Sequence, residues 1–224
     1  MCGRYSQTAD IEELADHFCF EDEKINFKPR YNIAPGQEAP IVIWEEIKLC
    51  KHTRWGLVPF WAREEAVGYK MINARAETLT QKSTFKKSFE RKRCLVLADG
   101  FYEWRKIDGI KRKIPMRIML KNKEPFAFAG LWDVWKKPDG SELRSFTIIT
   151  TEPNDFMRPI HNRMPVILRQ KDEEMWLDPD LKDTSKLLPL LAPYSSKEMG
   201  AYEVSTIVNS PQNDDPQCIV PVKV

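Results

Sequence analysis

Residues 93–130, RCLVLADGFYEWRKIDGIKRKIPMRIMLKNKEPFAFAG, decide how this chain folds. Strand-like runs occupy Arg93 to Ala98, Met116 to Leu120 and Phe126 to Gly130, and Asp99-Gly100 and Asp108-Gly109 punctuate them. Asp-Gly pairs tolerate the positive φ of tight turns, so both predict antiparallel hairpins. On either side, similar runs lie at Ile41 to Trp44, Ser145 to Thr151, Pro165 to Leu168 and Tyr202 to Val208, with Pro138-Asp139-Gly140 as a further turn. Near the start, Ile11, Leu14, Ala15 and Phe18 recur at i, i+3, i+4 and i+7 behind Thr8 as cap, with Asp10, Glu12 and Glu13 near the positive end of the helix. Shorter helices are expected at about 83–91, 171–177 and 184–191. Helices do not alternate regularly with strands, which argues against a doubly wound parallel sheet. The expectation is one mixed α and β domain over residues 1–224, strands predominating, without internal repeats.

Composition limits the function classes. A chain of 224 residues with 42% hydrophobic and 30% charged residues can bury a sizeable core in water. No apolar run approaches the roughly 20 residues of a membrane span. The first residues lack the basic and apolar regions of a secretion signal, so a cytoplasmic location without membrane association is expected. Cys2, Cys19, Cys50, Cys94 and Cys218 form an odd set with no C-x-x-C pair, against a disulfide framework or cysteine zinc site. With only His17, His52 and His161 besides, no metal or other cofactor is expected.

The net charge of +2 does not announce a nucleic-acid binder, but its distribution is uneven. Residues 82–93 carry six Lys and Arg against Glu90 alone, and residues 105–117 carry six against Asp108 alone. Solvated faces and hairpin tips explain such runs. Basic grooves lined by aromatics also hold single strands without reading sequence, and Trp55, Phe60, Trp61, Tyr69, Phe101, Tyr102 and Trp104 lie nearby in sequence.

Met1-Cys2-Gly3-Arg4-Tyr5 places a cysteine where loss of Met1 would join a free α-amine to a thiol on one residue. The amine titrates near 7.7–8.0 and the thiol near 8.5. An aldehyde captured as an imine by that amine can be closed by the sulfur into a five-membered thiazolidine, with the advantage of intramolecular attack. A frayed terminus is the plain alternative. In Ile72-Asn73-Ala74-Arg75-Ala76-Glu77, extended backbone would put Asn73, Arg75 and Glu77 on one face, as a site or as an ordinary two-faced strand. Glu103 stands between Tyr102 and Trp104, either in surroundings that raise its pKa toward that of a general acid or as an ordinary exposed strand carboxylate. His161 lies in a loop bounded by Pro159 and Pro165, either as a structural residue or as a proton shuttle.

Taken in order, MCGRY, RYNIAPGQ, RWGLVPFW, INARAET, CLVLADGFYEW and PIHNRMPVIL resemble the SOS response-associated peptidase (SRAP) family, the abasic-site processing proteins. The likeness runs from Met1 to about Leu168 and weakens beyond. It implies an α+β domain on a curved, barrel-like, mostly antiparallel sheet flanked by short helices. It also implies covalent, lyase-like capture of abasic sites in single-stranded DNA, shielding the lesion during the DNA damage response, by a monomer that meets the nucleoid in use. Carried over residue by residue, Cys2 would form the thiazolidine and Asn73 would orient it. Glu103 would move protons during sugar opening and imine formation, and His161 would serve the sugar oxygen and reversal. Arg4 and Arg75 match phosphate-contacting positions, and Pro35, Trp61 and Thr150 match positions lining the site. The family's peptidase name is linked to autoproteolytic exposure of the cysteine. Here Met1 directly precedes Cys2, so a methionine aminopeptidase suffices.

Two other classes compete. Chains beginning Met-Cys-Gly also occur among N-terminal-nucleophile glutamine amidotransferases, and His52-Thr53-Arg54-Trp55 is similar to a substrate-binding stretch there. The chain leaves little room for a domain consuming the ammonia, and the Asn-Gly oxyanion segment of that family is missing. A non-enzymatic single-strand binding module would leave Cys2, Asn73, Glu103 and His161 unexplained. Adduct formation on DNA against ammonia release from glutamine separates the readings.

Overall fold

The structure, a computed structural model, describes residues 2–21, 28–107 and 109–222. In chain order the elements are β1 (Tyr5–Gln7), α1 (Ile11–Phe18), β2 (Arg30–Ile33), β3 (Glu38–Trp44), β4 (Lys48–Trp55), β5 (Asn73–Arg75), α2 (Ser83–Arg91), β6 (Arg93–Ala98), β7 (Gly100–Ile107), β8 (Ile110–Leu120), β9 (Phe126–Lys136), β10 (Glu142–Thr151), β11 (Met164–Pro165), α3 (Gln170–Leu177) and β12 (Met199–Glu203). Five strands close a ring: β3 pairs with β4 and β6, β6 with β9, β9 with β10, and β10 with β4. All of these pairings are antiparallel except β4 with β10. β5 and β11 attach to β10, and an antiparallel sheet in the order β12-β8-β7-β1-β2 packs beside the barrel. The architecture is the α+β, barrel-like, mostly antiparallel fold that the resemblance implied.

Period-two alternation divides the core. Cys94, Val96 and Ala98 of β6 join Ile41, Ile43, Phe128, Phe146 and Ile148 on one face, together with Tyr5, Phe101 and Ile118 from the second sheet. Leu95 and Leu97 point the other way, under Leu14 and Phe18 of α1, Phe85 and Phe89 of α2 and Trp176 of α3. Helices therefore cover the outside of the ring, while the second sheet closes on its other face.

Asp99-Gly100 is the main correction to the strand pattern. β6 and β7 do not pair; the dipeptide is a corner where the chain leaves the barrel for the second sheet. The Asp99 carboxylate accepts from Ser6 Oγ at 2.6 Å, Thr8 N at 2.6 Å and Arg117 Nη2 at 2.8 Å, so its side chain fixes the corner. A Cβ on Gly100 would meet the Arg117 guanidinium at 2.8 Å, which accounts for the glycine. The other two turns behave as expected: β7 pairs with β8 across Gly109, although Asp108 lies outside the described residues, and β9 pairs with β10 across Gly140.

Local chemistry moved several other boundaries. Thr8 donates its hydroxyl to Asp99, and Asp10 caps α1 instead, accepting from Glu13 N at 2.8 Å. The helix expected over 184–191 divides into two single 3-10 turns, Thr184–Lys186 and Leu188–Leu191, with Pro189 lacking a donor. The run expected over 202–208 ends as a strand at Glu203, and Ser205 then caps a 3-10 turn over Thr206–Asn209. No helix among the described residues is long and apolar enough to cross a membrane.

Candidate active site

β1 delivers Cys2. Tyr5 pairs with Ile33 of β2 on one side and Phe101 of β7 on the other, so the segment just before it is pinned against the barrel-side core. Cys2 belongs to that core and is fully buried in a chain that still carries Met1. Burial, with the Glu103 carboxylate second, pushes its thiol well above the ordinary value. Burial therefore disfavours the thiolate here relative to an exposed cysteine.

Asn73 and Glu103 act on this residue directly, and His161 adjoins Glu103. Asn73, the first residue of β5, is held by parallel pairing with Ile148 of β10 and donates from Nδ2 to the Cys2 carbonyl at 2.8 Å. Its Oδ1 is buried with no partner among the described residues, leaving an acceptor beside Cys2. Glu103 shares the barrel-facing side of β7 with Phe101, whereas Tyr102 joins a separate cluster that Trp104 packs against. The flanking aromatics thus do not enclose the carboxyl as the sequence suggested. Burial on the barrel side, leaving Glu103 only 3% exposed, pushes its pKa up to about 7.

His161 Nε2 lies 3.9 Å from Glu103 Oε2. Its loop is tied by Asn154, which accepts from Met157 N at 2.8 Å and donates to Tyr194 O at 2.6 Å. Burial draws the imidazole below its ordinary value. A carboxyl raised and an imidazole lowered, side by side, form a pair able to exchange protons near neutral pH. A shifted pKa alone does not mark a site. Glu173 of α3 is pushed up to about 8 by burial, yet none of these residues acts on it.

The remaining candidates divide. Thr150, fully buried on β10, donates to Ala74 O at 3.4 Å and accepts at its own carbonyl from Arg163 Nη2 at 2.6 Å. Asn73 and Arg75 lie on β5, but the chain turns into a 3-10 turn over Ala76–Thr78 and carries Glu77 off the strand to Arg163. Sequence reasoning gave Arg163 no role, although it stands two residues after His161 in PIHNRMPVIL. Arg4 donates from Nη1 to Asn32 Oδ1 at 2.8 Å and Val208 O at 2.6 Å, and its guanidinium lies over Trp104. Asn32 in turn donates to Val208, Ser210 and Asn213 carbonyls, and Asp214 accepts from Tyr31 N and Asn32 N. The Arg4 carbonyl accepts from Cys2 Sγ at 4.0 Å, while the Arg4 guanidinium is turned to Asn32 and Val208; Pro35 lies in the turn after β2 and Trp61 in the loop after β4.

Of the seven aromatics, Trp55, Phe101 and Tyr102 are core, while Phe60, Trp61 and Tyr69 are exposed. Lys87 Nζ sits 4.9 Å from the Phe60 centroid and the Arg54 guanidinium 5.1 Å from that of Tyr69. In the basic segments, Arg93 and Arg117 are buried in hydrogen-bond networks, whereas Lys86, Lys87, Arg91 and Lys113 are exposed. The His52–Trp55 stretch is taken up in β4, where Trp55 Nε1 donates to Ile72 O and Arg54 pairs with Glu65. No group of three or more His, Cys, Asp or Glu among the described residues could hold a metal ion.

The barrel thus buries Cys2 near the chain start beside an amide and a carboxyl, and that carboxyl faces an imidazole. Residues 1–211 match the family SOS response associated peptidase (SRAP), and the chain belongs to that family. It is 47% identical to the abasic site processing protein YoqW of Bacillus subtilis (strain 168), over 98% of this chain and 99% of that one. It is 32% identical to the abasic site processing protein HMCES of Gallus gallus, over the full chain and 79% of that protein. A crystal structure of a protein from Bacteroides thetaiotaomicron superposes with a TM-score of 0.89 at 30% identity, covering 99% of this chain and 100% of that one.

Proposed function

We propose that this protein captures abasic sites in single-stranded DNA by covalent attachment to Cys2 once Met1 is removed. The observation that carries the reading is the convergence of Cys2, Asn73, Glu103 and His161 from four separate parts of the chain. The ring-opened sugar presents an aldehyde. The Cys2 amine adds to its carbon, and loss of water, assisted by a proton from Glu103 or His161, leaves an imine. The buried thiol then adds to the imine carbon: the S–C bond forms, the imine π pair returns to nitrogen, and the thiol proton passes by way of Glu103 to that nitrogen, leaving a neutral thiazolidine ring. A carboxyl titrating at about 7 suits both donation and acceptance at neutral pH. Asn73, bonded to the Cys2 carbonyl, fixes the direction of attack.

A single strand fits the exposed Phe60, Trp61 and Tyr69 beside the exposed Lys87, because unpaired bases stack on such rings and phosphates pair with such a cation. The protein acts as a monomer of one domain in this reading, and peptidase action is limited to exposing the cysteine. The test is incubation with an oligonucleotide bearing one abasic site, followed by a denaturing gel and intact mass. A band of protein plus DNA, without reductant and with Met1 absent, is expected. Protein lacking Met1 that yields no such band overturns the proposal.

The arginines should separate. Exposed Arg75, when changed to Ala, should make the salt dependence of single-strand binding shallower by about 0.7 for each phosphate it no longer neutralises. Arg4→Ala should chiefly lower thermal stability, since its donors already serve Asn32 and Val208. Salt titrations of binding and melting curves for the two variants check this division. An Arg4→Ala slope as shallow as that of Arg75→Ala would return Arg4 to the phosphate backbone.

A further inference from the structure

We infer that Glu77 and Arg163 are positioning residues that hold His161 so that its ring can gain and lose a proton without turning; the catalytic meaning rests on the function proposed above. Arg163 Nη1 and Nη2 grip Glu77 Oε1 and Oε2 at 2.6 and 3.0 Å, a bidentate fork, and Nη2 also donates to Thr150 O at 2.6 Å. Glu77 follows directly on the strand that bears Asn73, and Thr150 pairs in register with both Arg75 and Pro165. One guanidinium therefore joins the Asn73 strand, β10 and the His161 loop.

The backbone of the same arginine serves the imidazole. Arg163 N–H donates to His161 Nδ1 at 3.1 Å, and Arg163 O lies 3.2 Å from that nitrogen. When the ring is neutral, Nδ1 accepts from the N–H, which puts the ring proton on Nε2, the atom facing Glu103. When the ring takes a second proton, Nδ1–H can donate to the carbonyl instead. Both charge states find a partner on one residue, so proton transfer with Glu103 needs no reorientation. The Glu77 carboxyl is held below its usual range chiefly by its hydrogen bond with Arg163, which agrees with a formed fork. Glu77 is 44% exposed at its side chain and Arg163 13%, so removing Glu77 should leave the fold intact while freeing Arg163 to shift.

Two measurements on wild type, Glu77→Ala and Glu77→Gln test this. In 15N-labelled protein at pH 8, ring NMR should give a single Nε2–H tautomer for His161 in wild type and a mixture in Glu77→Ala, with Glu77→Gln between. Adduct formation and reversal should slow roughly 10- to 100-fold in Glu77→Ala, the scale on which about 1 Å of misplacement acts, with undamaged single-strand affinity unchanged. An unchanged His161 ring spectrum, or an unchanged rate where wild type forms adduct, overturns the positioning role. Failure of wild type to form adduct sinks the proposed function instead, and the ring spectrum, which needs no DNA, still decides the positioning role.

Discussion

Cys2→Ala is expected to abolish the heat-stable adduct while leaving noncovalent single-strand binding nearly unchanged, because the exposed aromatics and cations are separate from the buried thiol. Cys2→Ser is the sharper variant. It keeps the α-amine, so an imine still forms, but a hydroxyl is a far weaker acid and nucleophile than a thiol in the same surroundings. An imine left open hydrolyses readily, survives denaturation only after borohydride reduction, and acts as an electron sink that promotes cleavage on the 3′ side. The serine variant should therefore be trapped only with borohydride and should nick more strand than the parent. Denaturing gels with and without reductant, probed for protein and for DNA, read both outcomes. Wild-type protein that required reductant, or that nicked most of its substrate, would belong with the abasic-site lyases. A short peptide left ahead of Cys2 should be as damaging as the alanine, since acylation removes the basic amine.

Glu103→Gln should slow adduct formation roughly 100- to 10,000-fold, the range for a lost general acid or base, with DNA affinity unaltered. The same change should stabilise the protein in alkaline solution. Glu103 titrates at about 7 when folded, against about 4.3 in an unfolded chain. The folded state therefore favours the protonated carboxyl. That stabilisation is full below about pH 4 and is lost as pH rises through 7, a difference of about 3 to 4 kcal/mol. Glutamine, always neutral, escapes the loss, so melting at pH 8 should rise by about 6 to 16 °C over wild type and converge with it at pH 4. Melting curves at the two pH values, beside single-turnover rates from pH 5 to 8, test both halves. A Glu103→Gln rate equal to wild type across that range would make the residue structural. A rate loss without the alkaline gain would mean that burial is not what raises its pKa.

The strand-rich fold was legible because alternation and turn residues are local signals. Leu95 and Leu97 against Cys94, Val96 and Ala98 already told the two faces of β6 apart. Asp99-Gly100 misled because the same dipeptide serves a hairpin or a corner, and only distant Ser6, Thr8 and Arg117 decide which. Thr8 failed as a cap for the same reason. In the site, Cys2, Asn73, Glu103 and His161 stood out by residue type and by family likeness. What the chain order concealed was that Tyr102 and Trp104 turn away from Glu103, that the Arg4 guanidinium is occupied by Asn32 and the Val208 carbonyl, and that Glu77 belongs with Arg163. Each depends on which strand faces which, a property of register and not of neighbours in sequence.

The bonds from Arg4 and Asn32 to Val208, Ser210 and Asn213 make the two chain ends one mechanical part. Asp214, beyond the last residue matched to the family, caps the backbone of Tyr31 and Asn32. A fragment cut at the edge of the matched region would lose that cap, and with it part of the seat on which the first strand rests. A residue beyond the family match thus helps to seat β2, the strand against which β1 pairs just after Cys2.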